Sequence, residues 1–321
     1  MVKSTINSTI MGKAYEYACV LALSELLEDV RLFEIIENSS LRIARTRYEE
    51  ISKIDRAEML KSAKVGMVAI IDMEPRIIED GKDKLSISLQ SDDVAKSGDI
   101  RDVLIIRRSI EWEIGISVKH NHAALKHSRL SATIDFGKLW FGKSCSETYF
   151  NEIIPIFSEL KLLKDTDKLW SEIRNKNNIV YVPILQAFMK EFNALYNKYG
   201  EDITSSLVKY LLGSNGKDYY KLIHYNNHIT RIQPFNLLGT LNQSSIKQKP
   251  NKIFSKILLP TKILDLSFKE KSTTTVNLTM NNGWAISFRI HNASSHVETS
   301  LKFDIQLRGQ PADLFYLDIK W

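Results

Sequence analysis

Two strand-like runs, DVLIIR (102–107) and WEIGISVK (112–119), stand only four residues apart, and this spacing constrains the chain more than any other feature. Short runs rich in Ile and Val favour strands. A four-residue connection joins such strands as a hairpin. With Arg108 to Glu111 as the loop, Arg107 pairs with Trp112 and Asp102 lies across from Ser117. Directly opposite residues share a face of the sheet, as do residues two apart along a strand. A carboxylate (Asp102), a hydroxyl (Ser117) and an ammonium (Lys119) are therefore expected together at one sheet edge. Such a set can hold a divalent metal beside an activated water, which metal-assisted phosphodiester hydrolysis needs.

Cationic residues follow Lys119 at once. HNHAALKHSRLS (120–131) supplies His120, His122, Lys126, His127 and Arg129, and AALKHSRL (123–130) reads as a helix. On a helix His122, Lys126 and Arg129 share one face. A metal-holding strand end followed by a cationic helix face suits a phosphate backbone. The net charge of +6 is modest for 321 residues, so its distribution matters more than its sum.

The rest of the chain reads as a soluble globular protein with length for one large or two modest domains. Cys19 and Cys145 are the only cysteines, which supports neither a zinc ribbon nor a disulfide framework and fits a reducing cytoplasm. The apolar run ACVLAL (18–23) is too short to span a bilayer. It belongs instead to a first helix over 12–30, with more helix expected to about 65. LSISLQ (85–90) alternates as a half-buried strand. Residues 150–225 have a helical pattern, and 240–262 read as an exposed basic connection. In WAISFRIH, Trp284, Ile286, Phe288 and Ile290 share one face, as do Leu301, Phe303, Ile305 and Leu307 of LKFDIQL. A mostly antiparallel C-terminal sheet with one polar face is expected. That face offers Arg289, His291, Lys302 and Arg308, with Asn292 just beyond. Arg and Asn can read guanine and adenine edges, and a two-stranded ribbon fits the major groove.

RDVLII followed by SVK resembles the PD-(D/E)xK nuclease motif, with Arg101 in place of proline and Ser117 in place of the second acid. Some restriction enzymes of this fold carry SVK with the acid moved to the next helix, which nominates Asp135 of IDFG. GKAYEYA (12–18) resembles the helix from which these nucleases supply a glutamate, which nominates Glu16. Glu113 ranks third, six residues from Lys119 and roughly 20 Å along the strand. Taken together, GDIRDVLIIR, WEIGISVKHNHAALKHSRLS, IDFGKLWFG and WAISFRIHNASSHVETSLKFDIQL resemble the HaeIII-type type II restriction endonucleases over most of the chain. The resemblance implies an α/β (α+β) PD-(D/E)xK core, a mixed sheet flanked by helices, over 1–150. A helical segment over 151–240 and C-terminal antiparallel strands over 241–321 would follow, and the three can form one compact unit. It further implies Mg²⁺-dependent cleavage of double-stranded DNA at a short palindrome, GGCC being the family's usual target. The metal would fall to Asp102 with Glu16 or Asp135, and DNA contact to Asn121, His122, Lys126, Arg129, Arg289, His291, Asn292 and Arg308. A palindromic target goes with a two-fold dimer, and a restriction enzyme with a cognate methyltransferase.

Each of these residues has a plainer reading. A basic helix face is usually solvated, a terminal strand lysine usually guards an edge, and Asp102 or Asp135 can simply cap a turn. Glu16 can be a solvated helix residue. Two other functions share the scaffold: a DNA-binding protein that has lost the catalytic acid, and a methylation-dependent nuclease.

Overall fold

The computed structural model describes residues 8–79, 83–91, 99–121, 126–213, 216–309 and 311–321. The chain divides into two units, neither continuous in sequence. The first gathers 1–123, 214–257 and 313–321; the second gathers 124–213 and 258–312. This is not the expected division at 150 and 240. The sheet around the hairpin is completed by strands from beyond residue 213 and from the C-terminus.

In the first unit, α1 (Ser8–Leu27), α2 (Ser39–Glu50) and α3 (Lys53–Met73) cover one face of a mixed sheet. Its strands are β1 (Phe33–Ile35), β2 (Leu85–Leu89), β3 (Val103–Arg107), β4 (Trp112–His120), β6 (Tyr219–Tyr225), β7 (Ile229–Phe235) and β12 (Leu317–Lys320), side by side in that order. Asn38 and Ser52 open α2 and α3 by accepting hydrogen bonds from Leu41 N and Asp55 N. The expected run of helix from 31 to 65 is thus broken by β1 and by these two caps. Ile87, Val103, Ile105, Ile114, Ile116, Val118, Tyr220 and Leu222 pack with Tyr15, Leu23, Met67 and Ile70 in the core.

The hairpin has the expected register. Arg107 pairs with Trp112 and Val103 with Ile116, which brings Asp102 opposite Ser117. The loop closes through a short 3₁₀ turn, Arg108–Ile110, and Glu111 in the left-handed region. Strand β4 continues into a parallel pairing with β6, Ser117 opposite Lys221 and Lys119 opposite Ile223. The hairpin of β6 and β7 was not expected, because 150–225 reads as helical throughout.

In the second unit, α4 (Phe136–Phe141), α5 (Glu147–Asp165), α6 (Val182–Tyr199) and α7 (Glu201–Leu212) accompany an antiparallel sheet. Its order is β5 (Lys126–Ser131), β11 (Ser300–Leu307), β10 (Ala285–His291), β9 (Thr275–Met280), β8 (Ile263–Phe268). Ile286, Phe288, Ile290, Leu301, Phe303 and Ile305 are buried as their alternation predicts. Residues 126–131 are a strand, not the second half of a helix. Ser128 and Leu130 face Phe303 and Leu301 across the pairing with β11, a partner that lies far off in sequence. Residues 240–262 form no helix or strand, as expected. Among the described residues no helix is long and apolar enough to cross a membrane.

Candidate active site

Asp102 extends β3 by one residue. Its N–H donates to Ile116 O at 2.9 Å, and its C=O accepts from Gln90 N at 2.9 Å. The side chain turns to the end of β4. Oδ2 accepts from Val118 N at 2.7 Å, from the Lys119 ammonium at 3.1 Å and from Ser117 Oγ at 3.4 Å. Asp102 and Lys119 keep 21% and 31% of their side chains exposed, whereas Ser117 is fully buried. The three residues expected at one edge are there, and the shortest bond to Asp102 comes from the Val118 N–H.

Glu16 joins them from α1. It is 7% exposed and is bridged at 3.0 Å by Lys13, one turn earlier. Burial, and next the negative charge of Asp102, push its carboxyl up from 4.5 to about 7, against the pull of Lys13 and Lys119. A buried acid whose ionisation is disfavoured by a neighbouring carboxylate is what a divalent cation would relieve. Their hard oxygens suit Mg²⁺, which is commonly held by one or two carboxylates with water and phosphate completing its shell. The residues therefore fit such an ion. No cluster of three or more His, Cys, Asp and Glu able to hold a metal occurs among the described residues, so these offer two carboxylates and not a closed cage.

The other carboxylates are committed elsewhere. Asp135 is the N-cap of α4 in the second unit, where its Oδ1 accepts from Lys138 N at 2.8 Å and Cys145 N at 3.0 Å. Glu16 is the candidate acid whose charge interacts with Asp102. Glu113 is bonded to Lys217 and, at 3.0 Å, to Arg101. Arg101, in the place of proline, also grips Asp99 through two bonds of 2.8 and 2.7 Å. Its side chain lies over Gly115, where a Cβ would come within 2.2 Å of Arg101 Cδ.

The expected DNA-facing residues separate into groups. His122 and the side chain of Lys126 lie outside the described residues. Positions 126 and 129 belong to a strand, and residues three apart alternate to opposite faces. The shared helical face therefore does not form. Arg129 instead joins a row across the second sheet: it pairs with Lys302, which pairs with His291. Arg129 also bonds Ser300 Oγ at 2.7 Å. Arg289 is exposed and pairs with Asp304, and Arg308 is exposed beyond the end of β11. Asn292 accepts from Tyr181 O–H at 3.2 Å and donates to Ser294 O at 2.6 Å, so its amide holds a turn. Asn121 takes the left-handed conformation after β4 and ties it to the β6–β7 turn through Asn226.

One buried ionisable residue of the same sheet was missed. Lys221 stands opposite Ser117 on β6 and is 4% exposed. Burial, and then the Lys119 ammonium, draw it down from 10.5 to about 7. Its signal was present: a lysine inside the apolar run YYKLIHY.

Residues 12–311 match the HaeIII restriction endonuclease family. The chain belongs to that family. It is also 43% identical over 311 residues to the type II restriction enzyme HaeIII of Haemophilus aegyptius, covering 97% of each chain. No solved structure matches.

Proposed function

We propose that this chain is a type II restriction endonuclease that hydrolyses both strands of DNA at a short palindrome, GGCC, using Mg²⁺. The observation that carries the reading is the contact of Lys119 with Asp102, with Glu16 beside it, in a chain of this family. Asp102 and Glu16 would hold the ion. When bound, a divalent cation polarises the phosphate and lowers the pKa of a bound water. The Val118 N–H and Ser117 O–H fix the Asp102 carboxylate, so its remaining oxygen is presented in one orientation. Lys119 sits where an ammonium can stabilise the attacking hydroxide or the charge that develops on the phosphorane. Serine in place of the second motif acid does not remove the chemistry, because Glu16 supplies a carboxylate from α1.

Arg129, Lys302, His291, Arg289 and Arg308 offer the second sheet's polar face to DNA, and the exposed lysines of 240–262 suit backbone phosphates. The palindrome favours a two-fold dimer, and a cognate methyltransferase would protect the host sequence. A plasmid digest tests the reading. Discrete fragments with Mg²⁺ and none with EDTA, with ends mapping to GGCC, support it. Retarded but uncut DNA would mean a binding protein, and cutting only of methylated plasmid would mean a methylation-dependent nuclease.

A further inference from the structure

A groove of about 470 Å³ lies wholly within the second unit, and nothing in the mechanism above uses it. Helix α5 makes one wall, with Ile153, Phe157 and Leu160 as its buried stripe. Three-residue steps along a helix keep to one face, so Ser158, Lys161 and Lys164 follow one another beside that stripe and line the groove. The end of β5 and the start of β11 make the other wall. Ser131 and Ser300 are paired there, and Thr133 and Thr299 continue the lining.

The lining is rich in donors and poor in acids. Ser131 Oγ accepts from Thr133 N at 3.3 Å and from Ile134 N at 3.2 Å, and Ser300 Oγ accepts from Arg129 at 2.7 Å. Each serine oxygen is thus engaged as an acceptor, and its O–H is the group that can donate. Arg129 itself also lies 3.7 Å from Glu298. Nearby exposed lysines find carboxylates: Lys168 pairs with Glu172 at 3.8 Å, and Lys190 with Glu152 of α5. Lys161 and Lys164 form no ion pair among the described residues, and Asp165 is the only acid among those lining the groove. Lysines near the end of a helix also offset its dipole, but that role needs neither the hydroxyls across the groove nor the arginine beside them.

The groove is continuous with the cationic row of the sheet. Arg129 stands two residues before Ser131 and Lys302 two after Ser300, each on the same face of its strand. At about 3.3 Å per residue the separation is about 7 Å, or about two steps of the roughly 3.4 Å rise per charge of one DNA strand. A small anion would engage one of these positions, whereas a repeating polyanion meets both. We infer that the groove binds a phosphate of the DNA backbone, with Lys161 and Lys164 on the α5 side and the Ser131 and Ser300 hydroxyls on the sheet side, extending the contact made by the Arg129 and Lys302 row. The inference rests on the reading of the chain as an enzyme that cuts DNA. A phosphate contact of this kind adds affinity and register, not sequence preference.

The test compares K161Q/K164Q with the wild type and with K138Q/K209Q, which neutralises two exposed lysines of α4 and α7. All four side chains are exposed, so both variants should melt as the wild type does. Affinity for a duplex with GGCC at its centre is measured in EDTA over a range of salt. It is measured again with a neutral methylphosphonate placed at each phosphate in turn. K161Q/K164Q should bind about tenfold more weakly, with a salt slope lower by about 0.9 for each lysine. A subset of the phosphates whose neutralisation weakens the wild type should become silent in this variant, while the rest stay sensitive. K138Q/K209Q should keep every sensitive position. Wild-type affinity, slope and phosphate profile in K161Q/K164Q would overturn the inference, and the nuclease reading would stand if the wild type cuts the duplex with Mg²⁺. An equal loss in both variants with no position silenced would mark a general field and overturn it too. Inorganic phosphate that raises the melting temperature of the wild type but not of K161Q/K164Q, with duplex affinity equal in both, would assign the groove to a small anion instead. A wild type that binds the duplex without cutting it would defeat the nuclease reading and leave the groove to be judged by the phosphate profile.

Discussion

Replacing Glu16 by glutamine should make the protein more stable at alkaline pH and remove its stabilisation by metal. The carboxyl is buried beside Asp102 and moves from 4.5 to about 7 on folding. Between those values the folded chain holds a proton that the unfolded chain has released. The stability this proton provides is present below about pH 4.5 and is lost as pH rises through 7. At 1.36 kcal/mol per pH unit, the full loss approaches about 3 kcal/mol. Glutamine keeps the shape and has no such proton to lose. Glu74, also pushed to about 7 by burial, adds a parallel slope to both proteins, so the informative quantity is the difference between them. Urea unfolding at pH 5, 6, 7 and 8.5 without divalent metal should show E16Q gaining on the wild type by up to about 3 kcal/mol across the series. At pH 8.5, Mg²⁺ at a hundred times its dissociation constant should stabilise the wild type by about 2.7 kcal/mol and E16Q by far less. A pH-independent difference would refute the burial and charge account of Glu16. Equal stabilisation of both proteins by Mg²⁺ would place the ion elsewhere.

D102A and K119A should each lower cleavage by at least about 10²-fold; in EDTA, D102A should bind DNA as well as the wild type or better, and K119A slightly worse. A folded K119A that cuts at the wild-type rate would leave Lys119 as an edge guard. D135N should cut normally, because asparagine caps α4 as aspartate does, whereas D135A should lose about 1 kcal/mol in urea unfolding; loss of cutting by well-folded D135N would return Asp135 to the site. Duplex affinity should fall with salt by about 0.9 log units per log unit for each phosphate neutralised, and R129A or K302A should weaken binding and flatten that slope. A salt-independent affinity would remove the case for backbone contact by the second sheet.

What the sequence determined by itself was local. The hairpin register followed from two alternating runs and a four-residue gap, and with it the meeting of Asp102, Ser117 and Lys119. The buried faces of β10 and β11 followed from period-2 alternation. The tertiary structure decided what depends on partners distant in the chain. Residues 126–131 have a helix-like pattern, but an unfilled edge of β11, some 170 residues later, takes them as a strand, and tertiary pairing overrides a weak local preference. The choice between Glu16 and Asp135 could not be read locally either. Both are acids at plausible distances along the chain, and only the tertiary structure shows that one is buried within reach of the Asp102 charge while the other caps a helix. Lys221 is the clearest case. A lysine in an apolar run says that something unusual is buried there, but not what lies across from it. That is fixed by the parallel pairing of β4 with β6, a contact that closes over about 100 residues and leaves no periodic trace in sequence.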